Sequence, residues 1–137
     1  MKAYLDGATR LRYDANIKLC KLTEVIGCNL FRSIQESSKI AVVASRDLHI
    51  HYWVTMSPDG SVKMVVHEID VPQIKGKVRM RCPVGGITIR PDPNDPNKSY
   101  AEHILEADLQ GNIPQWVWTI VLKQGAYGLL KLRKLVP

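Results

Sequence analysis

The sequence lacks any hydrophobic run long enough to cross a bilayer. Its most apolar stretch, residues 116–122, is far shorter than the roughly 20 residues that a spanning helix needs. Cysteine is also scarce, because the chain has three cysteines, an odd number whose spacing fits no metal motif. Residues 1–10 contain no apolar core of the kind found in secretion signals. These absences predict a reduced, cytoplasmic protein.

Patterns typical of catalysis, cofactor binding or metal binding are missing as well. The sequence contains no nucleophile elbow and no ordered Ser-His-Asp signature. Gly85 and Gly86 precede a predicted strand rather than a helix, so they do not form a phosphate-binding loop. His49 and His51 share a predicted strand face, but no cysteine or carboxylate pattern completes a set of metal ligands. We therefore expect no catalytic residues, no cofactor and no metal.

What remains is an ordinary globular composition with a modest positive charge. The chain has 137 residues, of which 45% are hydrophobic and 23% charged, so it is long enough for one domain with its own core. The net charge of +6 favours an anionic partner, although a solvated basic surface explains it equally well. Because no aromatic and basic recognition motif is present, we expect contact with an anionic membrane surface and no nucleic-acid binding.

The C-terminal part of the chain, residues 108–134, predicts one long helix. Asn112 is a suitable cap, and Pro114 fits the first turn, where no backbone donor is needed. Apolar residues then recur at helical spacing on two sides, which indicates that two surfaces cover this helix. One side carries Ile113, Trp116, Val117, Ile120 and Val121, and the other carries Trp118, Leu122, Leu129 and Leu132.

The part before this helix alternates between strands and short turns. The clearest strand is 46–56, with Leu48, Ile50, Tyr52, Val54 and Met56 on one face. Residues 2–12 predict one or two helical turns, and residues 91–98 predict a rigid polar loop. Consecutive strands followed by a helix belong to the α+β class, with about six antiparallel strands and a helix laid across them. The predicted strands are 17–26, 30–36, 46–56, 61–71, 77–90 and 99–108.

Four motifs occur in the order and spacing of a known family. The chain resembles the START domain, the steroidogenic acute regulatory protein-related lipid transfer domain. The resemblance covers nearly the whole chain, although the family has an N-terminal helix and three further strands without a counterpart here. The chain is therefore interpreted as a single START-like domain, residues 1–137, truncated at its N-terminus. The motifs are Arg46-Asp47, the Pro72–Lys75–Gly76–Val78–Arg79 segment, Gly85-Gly86, and the Asp108–Gly111–Ile113–Pro114–Trp116 segment.

The resemblance implies a helix-grip fold and a lipid-transfer function. In such a fold a curved antiparallel sheet wraps around the C-terminal helix and encloses one phospholipid or sterol, which the domain carries between membranes. Arg46 then either meets a polar group of the ligand or forms a structural salt bridge, with Glu36 or Asp47 as the partner. Trp118 and Leu122 are expected on the outer or lid side. The predicted lipid-binding residues are Arg46, Leu48, Ile50, Tyr52, Val54, Trp116, Val117, Ile120, Val121 and Gln124.

The absence of the family's first strands suggests a second hypothesis. A shortened sheet leaves an unpaired edge and leaves part of the helix uncovered. The chain then acts as a START-like protein-interaction module without a functional cavity, and a homodimer forms through the uncovered edge or the C-terminal helix. Under either hypothesis the protein is expected to be cytoplasmic and peripheral to membranes.

Overall fold

Residues 6–135, which the computed structural model describes, form one sheet and two helices. Helix α1 spans Gly7–Tyr13 and helix α2 spans Gln115–Leu135. Among the described residues, neither helix has the length and apolar character needed to cross a membrane. The strands are β1 (Ile17–Val25), β2 (Leu30–Ser37), β3 (Arg46–Met56), β4 (Val62–Glu68), β5 (Val78–Arg79), β6 (Arg81–Asp92) and β7 (Asp95–Asp108).

Both helices begin where the local sequence provides acceptors for the first backbone donors. The Asp6 side chain caps α1 by accepting a hydrogen bond from the backbone nitrogen of Thr9 at 3.0 Å. At the start of α2, the Pro114 carbonyl accepts from the backbone nitrogen of Val117 at 3.0 Å. The predicted C-terminal helix is therefore confirmed, with Pro114 directly before its first residue. Residues 2–5 of the predicted N-terminal turns lie outside the described residues.

The strands pair in the order β1-β2-β3-β4-β6-β7, and every neighbouring pair in this order is antiparallel. The short strand β5 adds a seventh member, paired in parallel with the beginning of β3. One face of the sheet carries the buried core and packs against Leu132 of α2. The α+β class with about six antiparallel strands is confirmed. The core residues are Leu48, Ile50, Tyr52, Met64, Val66, Cys82 and Ile87.

Two predicted segments differ from the structure. The polar loop expected at 91–98 is a tight hairpin, in which Asp92 pairs with Asp95 and β7 starts at once. Its prolines are tolerated because they lie at the end of β6, in the turn or in the edge strand β7, where a missing backbone donor costs little. The long strand expected at 77–90 is divided into β5 and β6, and an irregularity between Arg81 and Val84 marks the predicted bend near Pro83.

Candidate functional site

A cavity of about 400 Å³ lies between the inner face of the sheet and helix α2. Its volume is within the range of small-molecule sites, roughly 300–1,000 Å³. Both long walls are mainly apolar, since alternate residues of the strands and one side of the helix point into it. The sheet wall includes Leu48, Ile50, Tyr52, Val66, Cys82 and Leu105, and the helix wall includes Val117, Trp118, Val121, Leu122 and Leu129.

Helix α1 closes the side of the cavity nearest β1. Gly7 permits a close approach, because a Cβ atom there would lie 2.1 Å from the carbonyl oxygen of Cys20 in β1. Gly128 of α2 has the same effect at the other end of α1, where a Cβ would lie 3.2 Å from the Tyr13 carbonyl oxygen. Asn16, in the turn after α1, then joins this turn to α2 by donating from Nδ2 to the Val121 carbonyl at 3.1 Å. The close packing of α1 against β1 and α2 therefore explains Gly7 and Gly128.

Arg46 connects the two loops that border the cavity. Its Nε donates to the Leu109 carbonyl at 3.0 Å, and its Nη2 donates to the Gln110 carbonyl at 3.2 Å. Its Nη1 donates to the Ala44 carbonyl on the other loop. The sequence-based alternatives for Arg46 were a ligand group or a salt bridge with Glu36 or Asp47. The structure instead shows a guanidinium bound to three carbonyls, which holds the segment before α2 against the start of β3.

Asp47 anchors the same end of β3 from the opposite face of the strand. Its side chain is fully buried, and its Oδ2 accepts from Nε and Nη2 of Arg79 at 2.9 and 2.8 Å. His49 Nε2 lies 3.3 Å from the same oxygen. Arg79 also donates to the Val71 carbonyl at 3.2 Å, so the ion pair fixes the loop that leads into β5. Because β5 pairs with residues 46 and 47, this pair supports the position of Arg46.

The polar groups that line the cavity are largely paired with each other. Arg10 donates from Nη2 to Asp14 Oδ2 at 3.2 Å, and Gln35 donates from Nε2 to the hydroxyl of Tyr52. His103 lies on the β7 side of the lining, where burial and the nearby Arg10 charge lower its pKa. The histidine is therefore neutral at pH 7, and the Arg10 charge is paired with Asp14, whereas the Arg46 guanidinium in the lining is bound by carbonyls.

The predicted lipid-binding residues are divided between the cavity and its surroundings. Six of them line it: Arg46, Leu48, Ile50, Tyr52, Val117 and Val121. The other four are absent from the lining. Val54 is partly buried against the core, Trp116 is half exposed, and Ile120 and Gln124 are partly buried on α2. Lipid contact by these ten residues stays a prediction.

Some cavity residues were not identified from the sequence. Trp118 and Leu122, expected on the outer or lid side, are part of the lining. Arg10, Tyr13 and His103 were not predicted at all. His103 could have been found, because alternation along β7 places residues 103, 105 and 107 on one face. Arg10 and Tyr13 depend on the docking of α1, for which the sequence shows no periodic signal.

Comparison with known proteins agrees with the observed fold. The family model described as START domain matches residues 1–134. No curated protein matches the chain at a significant level. Solved structures share its fold at low sequence identity. The chain spans 65% of the length of the first of these, human StAR-related lipid transfer protein 5, which is 20% identical with a TM-score of 0.75 over 93% of this chain.

A protein from Xanthomonas and a second human protein share this fold as well. A STAR-related lipid transfer protein fragment from Xanthomonas axonopodis is 21% identical, with a TM-score of 0.71 over 92% of this chain and 71% of the fragment. Human STARD10 is 15% identical, with a TM-score of 0.76 over 96% of this chain and 57% of that protein. At such identities the likeness establishes the helix-grip fold and leaves the ligand open.

Proposed function

Because the chain belongs to the START domain family, we propose that it binds one lipid between its sheet and helix α2 and carries it between membranes. The observation that supports this most is the cavity of about 400 Å³ with two apolar walls. Uptake is driven by the removal of acyl or sterol surface from water, at about 25 cal/mol per Å² of apolar area. The proposed activity is non-enzymatic.

The residues proposed to contact the lipid are the apolar ones on facing walls. Leu48 and Ile50 of β3 and Val117 and Val121 of α2 are part of the lining, so a lipid between sheet and helix would touch both sides. Arg46 has a different proposed role. Three of its five N–H groups donate to carbonyls, and we propose that it positions the loop before α2 and does not select the head group.

Between a phospholipid and a sterol, the charges in the lining favour a sterol or another uncharged lipid. A phosphate inside the cavity would need a free cation, since burying an unpaired charge is costly. Arg10 already pairs with Asp14, and three N–H groups of Arg46 are already bound by loop carbonyls. The lowered pKa of His103 keeps that side chain neutral at pH 7. An uncharged lipid needs no such partner, and a phospholipid would have to keep its head group outside.

We further propose transient contact with anionic membranes through the outer side of α2. Trp116, Tyr127 and Leu130 are 50%, 63% and 57% exposed on that side. Lys123 and Lys134 lie on the same side at helical spacing, and both are exposed. Exposed aromatic and apolar groups beside lysines suit the interface of an anionic membrane. The proposed location is the cytoplasm, at the periphery of membranes.

A second candidate function is a protein-interaction module without lipid. Strand β7 lies at the end of the strand order, and among the described residues no strand pairs with its outer edge. Leu105 is part of the cavity lining and is nevertheless 56% exposed, so the cavity is open on this side. An open edge can recruit another chain by strand addition or form a homodimer, and a homodimer through α2 belongs to the same hypothesis.

The test compares two tryptophan substitutions on the same helix. Val121→Trp fills the cavity, whereas Leu130→Trp adds the same side chain on the exposed side. Each protein is incubated with vesicles of phosphatidylcholine, phosphatidylserine and cholesterol, and bound lipid is measured by native mass spectrometry. Transfer between vesicles is followed with a fluorescent sterol and a fluorescent phospholipid. We expect one lipid per chain, a preference for sterol, and a loss of at least tenfold in Val121→Trp alone.

Two results would contradict the proposal. Folded protein that binds and transfers none of these lipids would favour the interaction module. Equal loss in both tryptophan variants would show that the lipid lies outside the cavity.

A further inference from the structure

Asn16, in the turn between α1 and β1, carries a side-chain oxygen that lacks a hydrogen-bond partner. This atom, Oδ1, is buried and accepts no hydrogen bond, although Asn16 is part of the cavity lining. Other polar side chains of the lining are paired, such as Gln35 with Tyr52. A buried acceptor without a donor is costly, so such an atom in a folded protein needs an explanation.

The rest of Asn16 is held in place, so that Oδ1 has little freedom to turn towards another donor. The backbone nitrogen donates to Asp14 Oδ1 at 3.1 Å, and the carbonyl accepts from the backbone nitrogen of Ser38 at 2.7 Å. Nδ2 donates to the Val121 carbonyl at 3.1 Å. This last bond also fixes which end of the amide carries the oxygen, because the opposite assignment would place two acceptors against each other.

The charges beside Asn16 require an uncharged donor. Asp14 accepts from the Asn16 backbone through Oδ1 and from Arg10 Nη2 through Oδ2, so the carboxylate is already balanced by a cation. An ammonium group would bring an unpaired charge into this buried place, which is unfavourable. A phosphate or carboxylate anion offers only acceptors, whereas a hydroxyl supplies a donor without a charge.

We propose that Asn16 Oδ1 accepts a hydrogen bond from the hydroxyl of an uncharged lipid in the cavity. The inference rests on the proposed lipid-binding function and adds the residue that recognises the polar group of the ligand. The hydroxyl lies at the end closed by α1, and the apolar body extends towards the β7 side, where Leu105 of the lining is 56% exposed. Sterols, diacylglycerols and ceramides share this chemistry.

The contact makes the donor itself a condition for tight binding. A ketone or an ether of the same shape would place its oxygen against Asn16 Oδ1, acceptor to acceptor, and would leave both atoms without a donor. Sites that bind a hydroxyl by a hydrogen bond reject analogues that lack it, because the buried polar group of the site is then unpaired.

Gln124 provides a matched control on helix α2. Its Oε1 is likewise buried without a partner, but Gln124 is absent from the cavity lining. Both side chains are partly buried overall. If position at the cavity is what matters, Asn16 influences which lipid binds and Gln124 does not.

The experiment measures the affinity of the full chain for pairs of lipids that differ in the donor. One pair is cholestanol and its ketone, cholestanone, and the other is dioleoylglycerol and its methyl ether. Dissociation constants are obtained by competition with a fluorescent sterol. We expect each alcohol to bind at least tenfold more tightly than its analogue.

In Asn16→Leu the ratio of the two dissociation constants should fall to about one, because the acceptor is gone. The Val121 carbonyl keeps a partner in this variant, since a carbonyl within α2 also accepts from the backbone nitrogen four residues further on. Asn16→Ala, which removes the oxygen without adding bulk, should give the same result. Gln124→Leu should retain the full ratio. Thermal melts verify that each variant is folded.

The outcomes separate this inference from the lipid-binding function. Equal binding of alcohol and analogue by the parent chain would overturn the inference and indicate that a water molecule satisfies Asn16, while lipid binding itself stands. A ratio that survives both Asn16 variants would overturn it as well, and so would a ratio lost equally in Gln124→Leu. If no lipid of either pair binds, the proposed function itself is wrong.

Discussion

The two sides of the cavity differ in how they are closed. On the β1 side, α1 docks through Gly7 and Gly128, and Arg10, Tyr13 and Asp14 fill the space between sheet and helix. On the β7 side, Leu105 is part of the cavity lining and remains 56% exposed. The same sheet therefore provides a closed wall at one edge and an open wall at the other. The comparison indicates that access to the cavity is decided by what packs beside the sheet.

Charged residues differ between the middle of the sheet and its open edge. Arg46 and Asp47 are buried at the start of β3, and their partners hold the neighbouring loops in place. On the open side, Arg90 and Glu102 form a pair in which both side chains are about 65% exposed, at 3.5 Å. Removing one partner of a buried pair is costly, because water cannot hydrate the charge that remains. An exposed pair contributes little to the free energy of unfolding. Stability should therefore depend strongly on the first group and weakly on the second.

The largest effect is expected for Asp47→Ala. The substitution leaves Arg79 without its carboxylate partner, and we expect the free energy of unfolding to fall by about 3–5 kcal/mol. The matched control is Glu102→Ala on the open side, where we expect less than about 1 kcal/mol. Urea denaturation of both variants gives the comparison. Equal losses would show that the buried pair has no special role.

Arg46→Leu is expected to have the next largest effect. It leaves the carbonyls of Ala44, Leu109 and Gln110 without their donor, and a buried unsatisfied group costs about 1–3 kcal/mol. Because water can hydrate some of these carbonyls, we expect the free energy of unfolding to fall by about 3 kcal/mol. Lipid selectivity in the vesicle assay should not change. A changed preference between sterol and phospholipid, with an unchanged melting temperature, would instead assign Arg46 to the ligand.

A smaller effect is expected within helix α2. Val117 is fully buried, and Val117→Ala removes two methyl groups from the cavity side, which should cost about 2 kcal/mol. Leu130→Ala on the exposed side of the same helix should cost about 0.5 kcal/mol or less. Thermal melts of both variants decide the point. Similar losses would mean that the outer side of α2 is also covered, for example by a second copy.

The smallest effect concerns pH. Burial and the Arg10 charge lower the pKa of His103 in the folded state, so the unfolded chain binds more protons as the pH falls below the ordinary value near 6.5. The stability that depends on neutral His103 is complete above that pH and decreases below it. His103→Gln should remove part of this decrease between pH 7 and 5.

His51 has a lowered pKa for a similar reason and serves as the comparison, because it lies on the face of the sheet that is turned away from the cavity. Denaturation at several pH values distinguishes the contribution of His103 to stability from that of His51. Glu36 and Glu68 do not interfere, since their lysine and arginine partners lower both pKa values and move their contribution to more acidic pH. An unchanged pH profile in His103→Gln would exclude this side chain as the source.

Particular elements show how far prediction from the sequence extended. Strand β3 was predicted with its observed bounds, 46–56, because strict alternation of apolar and polar residues indicates a strand with one buried face. The turn that follows β3 contains Gly60, and its positive φ of 82° explains the glycine. The hairpin at 92–95 was missed, because prolines and asparagines usually mark loops and their tolerance depends on an edge position that topology alone decides.

The sequence by itself determined the class of fold, the strand faces and the position of the C-terminal helix, because these follow from local periodicity and turn chemistry. Only the tertiary structure decided the role of Arg46 and the docking of α1. The Arg46 partners are carbonyl oxygens of residues 44, 109 and 110, and a carbonyl is present on every residue. A contact that depends on backbone position leaves no trace in residue type. The tertiary structure also decided which side of the cavity is open, because that depends on strand order.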